Sequence, residues 1–259
     1  MTPAEAELRR IGEGGEEPFD IGEAALLLGS FDRPGVPLDR YRAHFDELAE
    51  AAGSPDRLAD ALGGAFGYTG DRATYDDLQN ANLLRVMDRR RGLPVALGIL
   101  YMAVGRRLGA HVEGLDFPGH FLIRVDRTEI VDPFERGAVR DPPALRQLLK
   151  AAYGASAELE TAHFRTAADR SVLLRLQNNI RLRLARRRQF ETALAVLERM
   201  TWIAPGLAEL MRERAMLEAA LGRFKGAVES LERYIAMEPA DGARLEAATL
   251  IQRFRARLN

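Results

Sequence analysis

The sequence predicts a mostly helical α+β fold, and three observations predict it. Apolar residues fall at helical spacing through the N-terminal part to Gly63 and again from Ala167 onward. Between these stretches lie short segments rich in Val, Ile and Phe, where the period changes to that of strands. The C-terminal part repeats itself: Gln189 to Pro205 aligns with Arg223 to Pro239 at an offset of 34 residues.

In the N-terminal part, Ile21 to Leu28 is an apolar helical segment. The stretch Asp32 to Pro37 ends it, because its prolines remove donors and fix φ. A second helix presents Tyr41, Phe45, Leu48 and Ala52 on one face and closes at Gly53 and Pro55. The segment from Gly63 to Gly70 is a loop by composition. It lacks the GK[ST] ending of a phosphate-cradling loop, and Gly12 to Gly15 follows no strand, so neither supports nucleotide binding.

The most apolar helix follows, introduced by Gly92-Leu93-Pro94 and ending near Leu108-Gly109. Proline at the first turn and glycine at the end are helix punctuation. Apolar residues occur almost all round it, which predicts burial on every side. His111 to Phe117, His120 to Val125 and Glu129 to Phe134 read as strands, the last two joined through Asp126-Arg-Thr128 as an antiparallel hairpin. A buried helix followed by a hairpin predicts an α+β core.

In the repeat, Phe190/Phe224, Ala193/Ala227, Leu197/Leu231, Glu198/Glu232, Arg199/Arg233 and Pro205/Pro239 are identical pairs. The period is that of tetratricopeptide helical hairpins, in which small alanines let paired helices approach. Two hairpins and a closing helix near Leu245 to Leu258 are expected. So short an array is expected to pack against the core, and Trp202 and Tyr234 within the repeats. The expected domains are 1–155, N-terminal helices plus core, and 166–259, the repeats.

The chain has 37 basic and 38 acidic residues among 259, a formal charge of −1, so no overall field recruits nucleic acid. The runs Arg89 to Arg91 and Arg186 to Arg188 lie near helix ends, where cations suit the helix dipole and face water. No apolar stretch reaches the roughly 20 residues of a membrane span, and no secretory signal is visible, which predicts a cytoplasmic protein. The chain has no cysteine, hence no disulfide, no zinc–thiolate site and no thiol nucleophile. His44, His111 and His163 form no metal-ligand spacing, so neither metal nor cofactor is expected.

The stretch Asn80 to Leu97, then Leu108-Gly109, Phe117-Pro-Gly-His-Phe-Leu122 and Val131-Asp-Pro-Phe134, resembles the transglutaminase-like superfamily. More narrowly it resembles the bacterial SirB-type family, in which such a papain-like core is followed by tetratricopeptide repeats. Active superfamily members carry a cysteine at the start of the buried helix, with histidine and aspartate on the following strands. A helix N-terminus favours a thiolate, the histidine exchanges its proton, and the carboxylate orients the ring. Matching the motifs puts the histidine at His120 and the aspartate at Asp132, while the cysteine position falls at or beside Pro94. Pro94, Leu93, Val95, Ala96 and Leu97 offer neither thiol nor hydroxyl.

Three functions follow as expectations. The first is a non-catalytic interaction protein, a degenerate core joined to repeats that hold a protein or peptide partner. The second is a hydrolase of altered mechanism, with His120 and Asp132 activating water. The third and weakest is nucleic-acid binding through the arginine runs. His120 and Asp132 would otherwise tie the hairpin together, and Asn80 would cap a helix or line the same cleft.

Overall fold

Side-chain caps start several of the helices. Thr2, Asp20, Asn82 and Asp141 each accept a backbone N–H three residues on. The computed structural model describes residues 1–237 and 240–258. In chain order the elements are α1 (Pro3–Glu13), α2 (Ile21–Ser30), α3 (Asp39–Ala52), β1 (Thr69–Gly70), α4 (Leu83–Arg89), β2 (Arg91–Gly92), α5 (Pro94–Arg107), β3 (Val112–Leu115) and β4 (Leu122–Val125). There follow β5 (Glu129–Asp132), β6 (Ala138–Val139), α6 (Pro142–Tyr153), β7 (Thr166–Ala167), α7 (Asp169–Arg186), α8 (Phe190–Ile203), α9 (Glu209–Ala220), α10 (Phe224–Ala236) and α11 (Asp241–Arg255). Single-turn helices punctuate the loops. The chain divides into two units, Pro18–Leu176 and Met1–Glu17 with Gln177–Asn259.

In the first unit α5 is the central element. Every residue from Pro94 to Gly105 is buried, and α5 meets α2, α3, α4, β3 and β4. Tyr41, Phe45, Leu48 and Ala52 are the buried residues of α3, as their spacing predicts. Beside α5 lies an antiparallel sheet in the order β6-β5-β4-β3-β7. The β4–β5 hairpin turns through Asp126 and Arg127 at φ 45° and 67°, the left-handed pair that suits a tight hairpin. The edge strands β6 and β7, two residues each, carry too little pattern to be read in advance.

The Gly63 to Gly70 segment is not simply a loop. A wide helical turn spans Asp60–Ala65, and the segment ends in β1, paired parallel to β2. Its glycines serve close approach. A Cβ on Gly63 would lie 2.0 Å from the Arg136 carbonyl oxygen, and one on Gly70 would lie 2.3 Å from the Phe134 ring.

In the second unit α8, α9, α10 and α11 pack as successive neighbours. Ala193 and Ala227 are fully buried at equivalent positions, as are Leu197 and Leu231. Tyr234 joins the core made by Leu231, Ala247, Ile251 and Phe254. Pro239, the second of the matched prolines, lies outside the described residues. Residues 1–17, grouped with the core on sequence, pack here instead: α1 lies against α8, and Arg9 stacks over Trp202 at 5.1 Å. An amphipathic helix with Leu8 and Ile11 inward buries that face wherever a complementary one is offered, and sequence adjacency does not decide the place.

Candidate functional site

Strand register brings His120 and Asp132 together. Leu122 begins β4 two residues after His120, and Asp132 ends β5, the strand paired with β4. His120 Nε2 lies 3.0 Å from Asp132 Oδ1. The carboxylate accepts the Nε2 proton, which leaves Nδ1 as the ring nitrogen turned away from Asp132. The Phe134 ring stands edge-on to the imidazole, 6.2 Å between centroids.

Asp132 is completely buried and heavily bonded. Its Oδ1 also accepts the Phe134 and Glu135 backbone N–H groups at 3.1 and 3.4 Å, capping the single turn Pro133–Glu135. Its Oδ2 accepts from Arg140 Nε and Nη2 at 3.0 and 2.7 Å. Burial alone would push the Asp132 carboxyl up; the hydrogen bonds and positive charge of His120 and Arg140 outweigh it and hold the carboxyl below the ordinary 3.8. Sequence reasoning missed Arg140, eight residues beyond Asp132. The left-handed pair Arg136-Gly137 was the available signal, because a reverse turn there returns the chain as β6 beside β5.

Pro94 is the first residue of α5 and is buried. Neither Pro94 nor its neighbours Leu93, Val95, Ala96 and Leu97 carry a thiol or hydroxyl at this helix start. Among the described residues no cluster of three His, Asp or Glu side chains is placed to hold a metal ion, and no helix is long and apolar enough to cross a membrane.

Asn80 caps no helix. That role falls to Asn82, whose Oδ1 accepts from the Arg85 N–H at the start of α4. Asn80 is fully buried; its Nδ2 donates to the Thr74 carbonyl at 2.6 Å and its Oδ1 accepts from Arg89 Nη1 at 2.9 Å. Its own carbonyl accepts the Leu93 N–H at 2.8 Å. Arg89 in turn donates to the buried Asp71 at 2.9 Å. Arg89 therefore does not face water with its neighbours: an inward carboxylate captures it. Burial would raise the Asp71 carboxyl, but hydrogen bonds from Thr74, Arg89 and Asn80 hold it at about 2. This cluster fastens the residue 71–80 loop to α4 and to the entry of α5, which sets where that helix starts.

A further arginine reaches the histidine from the other side. Arg175 on α7 donates from Nη2 to the His120 carbonyl at 3.1 Å and lies over the Phe121 ring at 5.3 Å. Phe121 fills the space left by Gly98, whose Cβ would stand 2.2 Å from that ring. The segment bearing His120 is thereby clamped between α5 and α7.

Comparison with known proteins agrees with this architecture. The sequence profile of the transglutaminase-like superfamily matches residues 38–178, and that of the tetratricopeptide repeat matches residues 180–252. A UPF0162 protein of Xylella fastidiosa is 32% identical over 242 residues, covering 87% of this chain and 86% of the relative. A UPF0162 protein of Vibrio cholerae is 27% identical over 246 residues, covering 88% and 91%. Protein SirB1 of Salmonella typhimurium is 25% identical over 203 residues, covering 76% and 75%. No solved structure gives a significant match. The histidine–aspartate pair beside a buried helix, the profile across that core and the repeats that follow it in the sequence have one reading: the chain belongs to the transglutaminase-like superfamily, in the UPF0162 group to which it is similar over most of its length.

Proposed function

We propose that this protein works by holding a segment of a partner protein, with its core as a non-catalytic scaffold and its repeat helices as the contact surface. One observation carries the reading. Leu182 on α7 and Met216 on α9 stand 34 residues apart, at equivalent positions of the repeat, and are 40% and 44% exposed. Leu250 on α11 continues the same spacing at the margin of the apolar core. Arg181 donates to Glu213 at 2.7 Å and Arg212 pairs with Glu246 at 3.8 Å, which ties α7 to α9 and α9 to α11 side by side. Exposed apolar groups repeated along stacked helices suit a peptide laid across them. Proline in place of a nucleophile supports the scaffold reading of the core.

The test compares wild type with the double variant Leu182→Glu/Met216→Glu in cross-linking and affinity purification. A partner captured by wild type and lost from the folded variant supports the proposal. Identical capture by both proteins removes it.

A second reading, hydrolysis by activated water, is favoured by the tautomer that Asp132 imposes, since His120 Nδ1 is left as a base. It requires ester or amide hydrolysis that disappears in His120→Ala; activity that survives this change belongs to something else.

A further inference from the structure

The antiparallel sheet ends in two short edge strands, and they are not equally open. β7 is followed at once by α7, and its Thr166 hydroxyl is taken by Glu113. β6, beside the strand that carries Asp132, is different. Val139 on β6 is 58% exposed, while Val131 across from it on β5 is 3% exposed. The sheet thus presents an aliphatic side chain at its rim, where charged residues or proline ordinarily stand.

The main chain of Val139 is open as well. In an antiparallel pair, residues alternate between those that bond the neighbouring strand and those turned away from it. The Arg140 N–H donates to the Ile130 carbonyl at 2.8 Å, and the Gly137 N–H to the Asp132 carbonyl at 2.9 Å. Val139, set between these bonds and opposite Val131, therefore turns its own N–H and C=O away from β5. Both ends of the edge are stopped. Gly137, at φ 79°, forms a bulge, and Pro142 opens α6 two residues after Arg140. A strand laid beside β6 meets one donor, one acceptor and one apolar side chain, all on Val139, and so has a single register.

We infer that β6 is a docking edge for an extended peptide segment, which adds as a sixth strand and pairs one apolar residue with Val139. The groups to be matched are backbone groups in strand geometry, and an extended polypeptide supplies their complement. A permanent pair of copies is not the occupant, because a two-residue edge does not by itself bury the roughly 1,200 Å² of a stable interface. The added strand lies one strand away from Asp132, and Arg140, next to Val139, holds that carboxylate. This edge belongs to the first unit, whereas Leu182 and Met216 of the repeat surface belong to the second.

The test is an NMR titration of the isotope-labelled full chain with acetyl-Ser-Thr-Val-Thr-Ser-amide and two N-methylated forms of it. The unmodified peptide should shift the Val139 amide signal and slow its hydrogen exchange about tenfold at saturation. A methyl on the nitrogen of the central valine removes the donor to the Val139 carbonyl and should weaken binding about tenfold or more. A methyl on the next threonine nitrogen points away from β6 and should leave binding unchanged. Val139→Pro deletes the outward N–H, a change that edge strands tolerate, and should abolish binding while melting stays near wild type. Should that variant not fold, Val139→Lys keeps the N–H, puts a charge on the edge and should give the same loss. Equal binding of the two methylated peptides, no binding of the unmodified one, or full binding by the folded variant would overturn the assignment. Protection of the Val139 amide that rises with protein concentration in the absence of peptide would also overturn it, naming a second copy as the occupant. The Leu182→Glu/Met216→Glu variant should bind the pentapeptide as wild type does, so failure of this edge and failure of the repeat surface are distinguishable.

Discussion

Arg140 holds the oxygen of Asp132 that His120 does not use. Its Nε and Nη2 lie 3.0 and 2.7 Å from Oδ2, while His120 Nε2 lies 3.0 Å from Oδ1. A buried carboxylate orienting an imidazole would be costly without a cation beside it, and Arg140 supplies one. Removing Arg140 therefore acts on His120 through Asp132. Arg140→Gln should cost about 1–3 kcal/mol of stability. It should also raise the pKa of the Asp132 carboxyl, which a carboxyl-resolved NMR titration would register.

If His120 and Asp132 serve the scaffold rather than chemistry, each substitution should lower the melting temperature. Asp132→Asn leaves Arg140 facing a neutral amide and should cost about 1–3 kcal/mol; His120→Ala should cost less, because the histidine is partly exposed and Asp132 keeps Arg140. Thermal unfolding of the three proteins checks this. Unchanged or higher melting for both variants would place the pair among groups kept for function at the expense of stability.

Stability should fall in acid through Asp71 and Asp132. Both have folded-state pKa values below the ordinary 3.8, Asp71 at about 2. Groups shifted this way stabilise the fold at pH values above the unfolded pKa, and that contribution is lost as pH falls through the folded one. The stability gap between wild type and Asp71→Asn should be about 1–3 kcal/mol at pH 7. It should close between about pH 5 and pH 2. Urea unfolding across that range gives the gap directly; a gap that stays constant would mean Asp71 contributes nothing as a charge.

Gly98 should tolerate no side chain. An added methyl would stand 2.2 Å from the Phe121 ring at a fully buried contact. Gly98→Ala should therefore destabilise by about 1–3 kcal/mol despite alanine's better helix propensity. Melting of this variant beside an alanine at an exposed helical glycine, Gly242, separates packing from propensity.

Much of the fold was legible in one dimension. The all-round apolar run after Pro94 meant a buried helix, the switch to period two meant the β4–β5 hairpin, and the offset of 34 meant paired helices. These are local patterns, and local patterns survive in sequence. His120 and Asp132 were legible by motif, because the hairpin register that joins them follows from a short turn.

Other features were decided only in three dimensions. Arg140 reaches Asp132 from just beyond a returning edge strand, and Arg175 reaches the His120 carbonyl from a helix 55 residues away, contacts with no sequence period. Asn80 and Asn82 share one chemistry two residues apart, and only the position of the first turn of α4 makes one a cap and the other a buried tie. Arg89 belongs to a run that reads as solvent-facing, yet a buried carboxylate eighteen residues earlier captures it. The sequence by itself determined the buried helix, the β4–β5 hairpin, the paired repeat helices and that no thiol is present. Tertiary structure decided which charges meet, because ion pairs and buried hydrogen bonds depend on distances that only packing sets.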